Sequence, residues 1–61
     1  MSFRVQVHSQ GTIVRDRAFK GARVAAAYYR AQVEAFAGEK GISVYLEERE
    51  GSQWITRKVA A

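Results

Sequence analysis

The sequence predicts an α+β fold in which a four-stranded antiparallel sheet carries one helix on one face. Two strand-like segments precede a central alanine-rich segment and two follow it, which gives the order ββαββ. Glycines stand between these segments, where turns are needed. The 61 residues have the length of one small domain, which we assign to residues 1–61.

The first hairpin is predicted from residues 3–15. Residues 3–8 alternate between apolar and polar side chains, which is typical of a strand with one buried face. Ser9, Gln10 and Gly11 form a turn signal, because Gly11 tolerates a positive φ. The β-branched segment 12–15 returns as a short second strand. If this segment is only an extended loop, the order becomes βαββ.

The central helix begins either after Asp16 as N-cap or, because of Gly21, near residue 20. It is predicted to run to about Ala37, with Gly38 as C-cap. One apolar stripe faces the sheet and contains Phe19, Ala22, Ala26, Tyr29, Val33 and Phe36. A second stripe lies on almost the opposite side and contains Val24, Tyr28, Ala31 and Ala35.

The second hairpin begins with the alternating residues 42–47 and turns at Glu50-Gly51. This turn sets Leu46 opposite Ile55 and Ile42 opposite Val59, and it keeps aliphatic residues on the buried face. The residues predicted to face the helix are Phe3, Val5, Val7, Ile42, Val44, Leu46, Ile55 and Val59.

Composition excludes several classes of function. The chain has no cysteine and one histidine, so we expect neither a disulfide, a metal site nor a cofactor. Its longest apolar stretch, residues 24–29, is too short to span a bilayer, and a cytoplasmic location is the default. His8 has no nucleophile beside it on its own strand face, so we expect no enzyme activity.

The outward face of the predicted sheet carries the candidate partner-binding residues Trp54, Tyr45, Arg4 and Lys58. Aromatic residues and arginine are enriched where proteins meet. The same residue types also stack on bases and hold phosphates in nucleic-acid complexes. A third interpretation is that Trp54 only covers the backbone of its own sheet.

A net charge of +4 suits contact with nucleic acid or with an acidic protein surface. Four of the candidate nucleic-acid residues gather around the start of the helix, and the fifth shares a helix flank with the last of them: Arg15, Arg17, Lys20, Arg23 and Arg30. Cations oppose the helix dipole at this end, which hints at use as a binding patch. A solvated basic surface is the alternative.

Self-association is expected because a domain this small buries little apolar surface. The second helical stripe has no evident partner within the chain, so Val24, Tyr28, Ala31 and Ala35 are candidate homodimer contacts. Alternatively, Val24 and Tyr28 are ordinary scattered exposures on an alanine-rich helix.

The chain resembles the tiny proteins of phages and mobile elements in the general character of three segments: Phe3-Arg4-Val5-Gln6-Val7, Ala25-Ala26-Ala27-Tyr28-Tyr29 and Ile42-Ser43-Val44-Tyr45-Leu46. That group includes anti-CRISPR and other host-takeover or anti-defence proteins. The resemblance implies a non-catalytic protein that occupies a surface of a host protein or of its nucleic acid. It covers most of the chain without a diagnostic motif, so it transfers no functional residue.

These observations together predict a small binding module that regulates or inhibits a larger protein by direct contact, as a homodimer. The alternative is a basic protein that binds DNA or RNA.

Overall fold

The two hairpins meet at the centre of one antiparallel sheet. The computed structural model describes residues 2–61, and the strand order in them is β2-β1-β3-β4. The elements in chain order are β1 (Ser2–Ser9), β2 (Thr12–Phe19), α1 (Ala22–Ala35), β3 (Ile42–Glu50) and β4 (Gln53–Ala60). The predicted ββαββ order is therefore confirmed. The strands β2 and β4 form the two edges of the sheet.

The second strand is longer than the sequence predicted. It extends to Phe19, and Asp16 lies within it, paired with Gln6 of β1, so Asp16 is not the helix N-cap. The turn that starts this strand lies where the sequence placed it. Gln10 and Gly11 both have positive φ angles, 51° and 84°, which is the backbone that a type I′ hairpin turn requires.

The helix is shorter than predicted at its C-terminal end. It begins after Gly21, whose φ of −101° and ψ of 136° are those of an extended N-cap residue. It ends with Phe36 as the C-cap, so the predicted end at Ala37 with Gly38 as cap is wrong by two residues. Gly38 instead adopts a φ of 83° in the turn that leads away from the helix.

The core lies between α1 and the two central strands. Val5 and Val7 of β1 are fully buried, and Val44 of β3 is 2% exposed. Phe3 and Leu46 are buried as well, so the prediction that these five strand residues face the helix is confirmed. Burying a valine side chain stabilises the fold by about 1.5–3 kcal/mol relative to exposure, so β1 and β3 carry most of this stabilisation.

The predicted inward stripe of the helix is confirmed in part, since Tyr29 is buried and Val33 and Phe36 pack against the core, but the helix is rotated relative to the predicted orientation. Its buried residues are Ala25, Tyr29 and Gln32, whereas Ala22 is exposed. At 100° per residue this is a rotation of roughly 60° toward the side that faces β2. The physical reason is that a polar residue, Gln32, is buried as the acceptor of a hydrogen bond from Arg15 Nη1 at 2.9 Å.

The turn of the second hairpin is one residue later than predicted. Glu50 pairs with Gln53, so Gly51 and Ser52 form the two-residue loop in place of Glu50-Gly51. Gly51 has a φ of 62°, as the first loop residue of a type II′ turn requires. This shift is the reason that the predicted pairs Leu46 with Ile55 and Ile42 with Val59 are wrong.

A β-bulge at Arg57 changes the register again within β4. Leu46 pairs with Lys58 and Glu47 with Thr56, which leaves Arg57 as the extra residue. The side chain of Arg57 binds Glu48 at 3.0 Å and also Glu50, and both carboxylates lie on the helix side of β3. The hydrogen bond to Glu48 is the main reason that the pKa of Arg57 is raised.

The bulge reverses the predicted orientation of the last residues of β4. Val59 pairs with Tyr45 and is 57% exposed, so its predicted place in the core is wrong. Lys58 pairs with the buried Leu46 and therefore lies on the helix side, not on the outward face. Ile55 pairs with Glu48 on the helix side and is half-buried.

Candidate functional site

The sheet face opposite the helix, here called the open face, is covered by none of the elements in residues 2–61. Val5, Val7, Val44 and Leu46 point toward α1, so the residues between them in β1 and β3 point away. Pairing across the strands then brings together on the open face a set of side chains that includes Arg4, Gln6, His8, Tyr45, Glu47, Trp54, Thr56 and Val59.

Arg4 is the centre of one cluster on the open face. Its Nε donates a hydrogen bond to Glu47 Oε1, and its guanidinium lies 4.3 Å from the centre of the Trp54 ring. Thr56 Oγ1 donates to the other carboxylate oxygen of Glu47 at 3.3 Å. Ion pair and cation–π contact together hold the half-buried Trp54 ring beside a cation.

A second cluster surrounds Tyr45. Its ring packs against the imidazole of His8, with ring centroids 4.6 Å apart and a tilt of 59°. His8 Nε2 donates to Gln6 Oε1 at 3.1 Å, and Gln6 is only 6% exposed although it lies on the uncovered side of the sheet. The neighbouring side chains thus form a packed surface and fix the Tyr45 ring in place.

Three of the four residues predicted to bind a partner share the open face. Arg4, Tyr45 and Trp54 lie on it, whereas Lys58 lies on the other side of the sheet because of the bulge at Arg57. His8 and Gln6 also belong to this surface, although they are not among the residues predicted to bind a partner. Their signal was present, because both residues belong to the outward set of β1.

The predicted dimer residues divide into exposed and half-buried ones. Val24 is 59% exposed, and Ala31 and Ala35 are exposed as well. Tyr28 is half-buried, because its ring packs against Phe19 at a centroid distance of 5.2 Å. The expectation that Tyr28 has no partner within the chain is therefore wrong.

The predicted nucleic-acid residues do not form one patch. Arg15 donates a hydrogen bond to Gln32, and the guanidinium of Arg17 lies 5.4 Å from the centre of the Tyr28 ring. Both arginines therefore lie in β2 against the flank of α1 that faces this strand. Arg23 and Arg30 lie about 160° or more around the helix axis from Gln32. The helix therefore separates these two pairs. Lys20 is exposed at the end of β2.

Among residues 2–61, no three His, Cys, Asp or Glu side chains come close enough together to hold a metal ion. The helix in this part of the chain is too short and too polar to cross a bilayer. A shallow pocket of about 240 Å³ lies beside the end of β2 and is lined by Ser2, Ala18, Phe19 and Lys20. Its lining offers one titratable side chain, that of Lys20.

Comparison of the chain with protein-family models, with curated proteins and with solved structures found no match.

Proposed function

We propose that this protein is a non-catalytic binding module that regulates or inhibits a larger protein by occupying part of its surface through the open face. One observation carries the proposal. Trp54, Tyr45 and Arg4 lie together on a sheet face over which no element of residues 2–61 packs. Tryptophan, tyrosine and arginine are the residue types that contribute most to binding energy at protein interfaces.

The arrangement of these side chains supports the proposal. Arg4 is held by Glu47 and by the Trp54 ring, and Tyr45 is held by His8. Ordering a flexible side chain at an interface costs about 0.5–1.5 kcal/mol. Side chains that are already ordered in the free protein avoid most of this cost, so a preorganised face binds more tightly than a mobile one of the same composition.

The size of the molecule also fits a protein interface. Its two larger dimensions are 33 and 21 Å, and its thickness is 15 Å. A face with those two dimensions covers roughly 700 Å², close to the about 800 Å² that each partner contributes to a standard interface. The open face is thus large enough for a specific complex without further domains.

Site-directed photo-crosslinking in the native host tests this proposal. A photoreactive amino acid replaces Thr56 on the open face or, as the matched control, Ala27 on the exposed side of α1. We expect position 56 to form a crosslink to one larger protein. This crosslink should be lost when the substitution Trp54→Ala is added. Crosslinks to a larger protein that arise only from position 27, or that survive Trp54→Ala, contradict the proposal, whereas a crosslink from position 27 to a second copy of the chain does not.

We further propose that the protein acts as a homodimer through the exposed side of α1. The exposure of Val24, Ala31 and Ala35 supports this, since small residues let two helices approach closely. Sedimentation equilibrium tests it with Ala31→Glu and with Ala37→Glu as control, because Ala37 is exposed but follows the helix. We expect Ala31→Glu alone to give monomers. A wild-type protein that is monomeric at high concentration contradicts the dimer.

A further inference from the structure

The edge strand β2 exposes both its backbone and its side chains. It pairs only with β1, and seven of its eight residues are exposed. Val14 is an extra residue in β2, between Ile13, which pairs with His8, and Arg15, which pairs with Val7. From Arg15 to Phe19 the pairing is regular, so the N–H and C=O groups of every second residue there point outward and are available to another extended chain. This edge differs from the open face, so an inference about it goes beyond the function proposed above.

Two arginines of this edge strand, Arg15 and Arg17, lie on the helix side of the sheet. Arg15 pairs with Val7 and Arg17 with Val5, and both valines point toward α1. Arg15 donates to Gln32 and its guanidinium lies 5.2 Å from the Phe36 ring centre. The two cations are two residues apart, which is the spacing of neighbouring side chains on one face of a strand.

Arg17 is held in place by two aromatic rings, one from β2 and one from α1. Its guanidinium lies 5.6 Å from the ring centre of Phe19 and 5.4 Å from that of Tyr28. Aromatic rings orient a guanidinium while its N–H groups remain able to donate hydrogen bonds. Both arginines are thus positioned before any ligand arrives.

Neither arginine has a carboxylate partner in residues 2–61. The ion pairs in this part of the chain join Arg4 to Glu47 and Arg57 to Glu48 and Glu50. On the other edge strand Arg57 is neutralised within its own sheet, whereas Lys58 takes part in none of these ion pairs. The edge at β2 combines available backbone groups with two positioned cations that lack counter-charges.

We infer that β2 binds an extended acidic segment of a protein partner as an additional strand of the sheet. The backbone of that segment would pair with the outward N–H and C=O groups of β2. Carboxylates two residues apart on the segment would reach Arg15 and Arg17, and charge-assisted hydrogen bonds to arginine are the stronger kind. The pairing selects an extended chain, and the arginines select acidic residues at alternate positions.

Charge argues against two other occupants of this edge. A second copy of β2 paired here would bring four arginines together, and like charges on facing strands destabilise pairing. A nucleic-acid strand would gain most from a continuous basic track, whereas Arg23 and Arg30 lie on the far flank of α1. An acidic peptide uses both the cations and the backbone of β2.

A titration with synthetic peptides, followed by the amide resonances of the isotope-labelled protein, tests the inference at low ionic strength. The probe is the capped eight-residue peptide Glu-Thr repeated four times. Its first control has the same composition with four glutamates followed by four threonines. Its second control has the alternating sequence with every second backbone amide methylated, which keeps the charge and removes hydrogen-bond donors.

We expect the alternating peptide to shift amide resonances along β2 and to protect its outward amides from hydrogen exchange. Both control peptides should bind about tenfold more weakly or not at all. The double substitution Arg15→Gln with Arg17→Gln should weaken binding of the alternating peptide about tenfold. The matched double substitution Arg23→Gln with Arg30→Gln should change it less than about twofold.

Each of the following results would overturn the inference: no binding of the alternating peptide at millimolar concentration, equal binding of the methylated peptide, or equal losses from the two arginine pairs. Displacement of the peptide by a lower concentration of single-stranded DNA would overturn it in favour of nucleic acid. Trp54→Ala should leave peptide binding unchanged, so a failure at this edge is distinguishable from a failure of the open face.

Discussion

The guanidinium of Arg4 lies 4.3 Å from the centre of the Trp54 ring while its Nε donates to Glu47. One side chain of the central strand β1 thereby links β3 and the edge strand β4. This relationship ties the stability of the sheet to the shape of the surface proposed to bind a partner.

We predict that Arg4 and Trp54 are energetically coupled. In a double-mutant cycle with Arg4→Met and Trp54→Leu, the coupling free energy should be about 0.5–1 kcal/mol. Urea denaturation of the four proteins measures it. The control cycle pairs Trp54→Leu with Arg23→Met, since Arg23 is an exposed helix residue on the other side of the sheet. A coupling equal to that of the control would mean that the stacked geometry contributes no stability.

Two valines on neighbouring strands test the register of the second hairpin. Val44 is 2% exposed and Val59 is 57% exposed. Val44→Ala should lower the free energy of unfolding by roughly 2 kcal/mol, because it leaves a cavity in the core. Val59→Ala should change it by less than about 0.5 kcal/mol. Equal losses in chemical denaturation would support the pairing of Ile42 with Val59 and contradict the bulge at Arg57.

The N-terminus of α1 offers a site for stabilisation. Gly21 is the N-cap, provides no side-chain hydrogen bond, and is followed by a first turn without acidic residues. Its φ and ψ suit any residue, and a β-carbon there would meet nothing within 4 Å. Gly21→Asp should therefore raise the free energy of unfolding by about 0.5 kcal/mol. Gly21→Ala lacks a capping oxygen and should lower it; thermal denaturation that shows the same change for both would refute the capping argument.

The first hairpin turn carries a strained residue. Gln10 has a φ of 51°, in the left-handed region that non-glycine residues seldom adopt. Asparagine tolerates this region better, and Asn-Gly is the preferred type I′ pair. Gln10→Asn should raise the melting temperature by a few degrees, corresponding to about 0.5 kcal/mol. Gly11→Ala, at a φ of 84°, should lower it, and a rise in both variants would be inconsistent with the turn geometry.

The parts of the fold that follow from hydrophobic alternation could be predicted from the sequence. Alternation placed Phe3, Val5 and Val7 in the core and Arg4 on the outward face, as the structure confirms. Alternation fails at a β-bulge, because one extra residue reverses the side of every residue after it. For that reason alternation predicted Lys58 on the outward face and Val59 in the core, whereas the structure shows the reverse.

The orientation of α1 could not be predicted from apolar residues alone. Gln32 is buried through its bond to Arg15, a residue 17 positions away in the sequence. Such a long-range polar contact leaves no periodic trace in the chain. The same holds for Asp16, whose chemistry suits a helix cap but whose pairing with Gln6 keeps it in β2. Tertiary contacts, and not local propensity, therefore determine where both Gln32 and Asp16 lie.

The extra residue at Arg57 has a consequence for how the last strand tolerates changes in length. Removing that one residue would shorten β4 without changing the face on which the exposed valine or the lysine beside it lies, because the lysine would still pair with Leu46 and the valine with Tyr45. Sequences that keep this architecture should therefore be able to differ in length by a single residue at this position, where the bulge absorbs the difference.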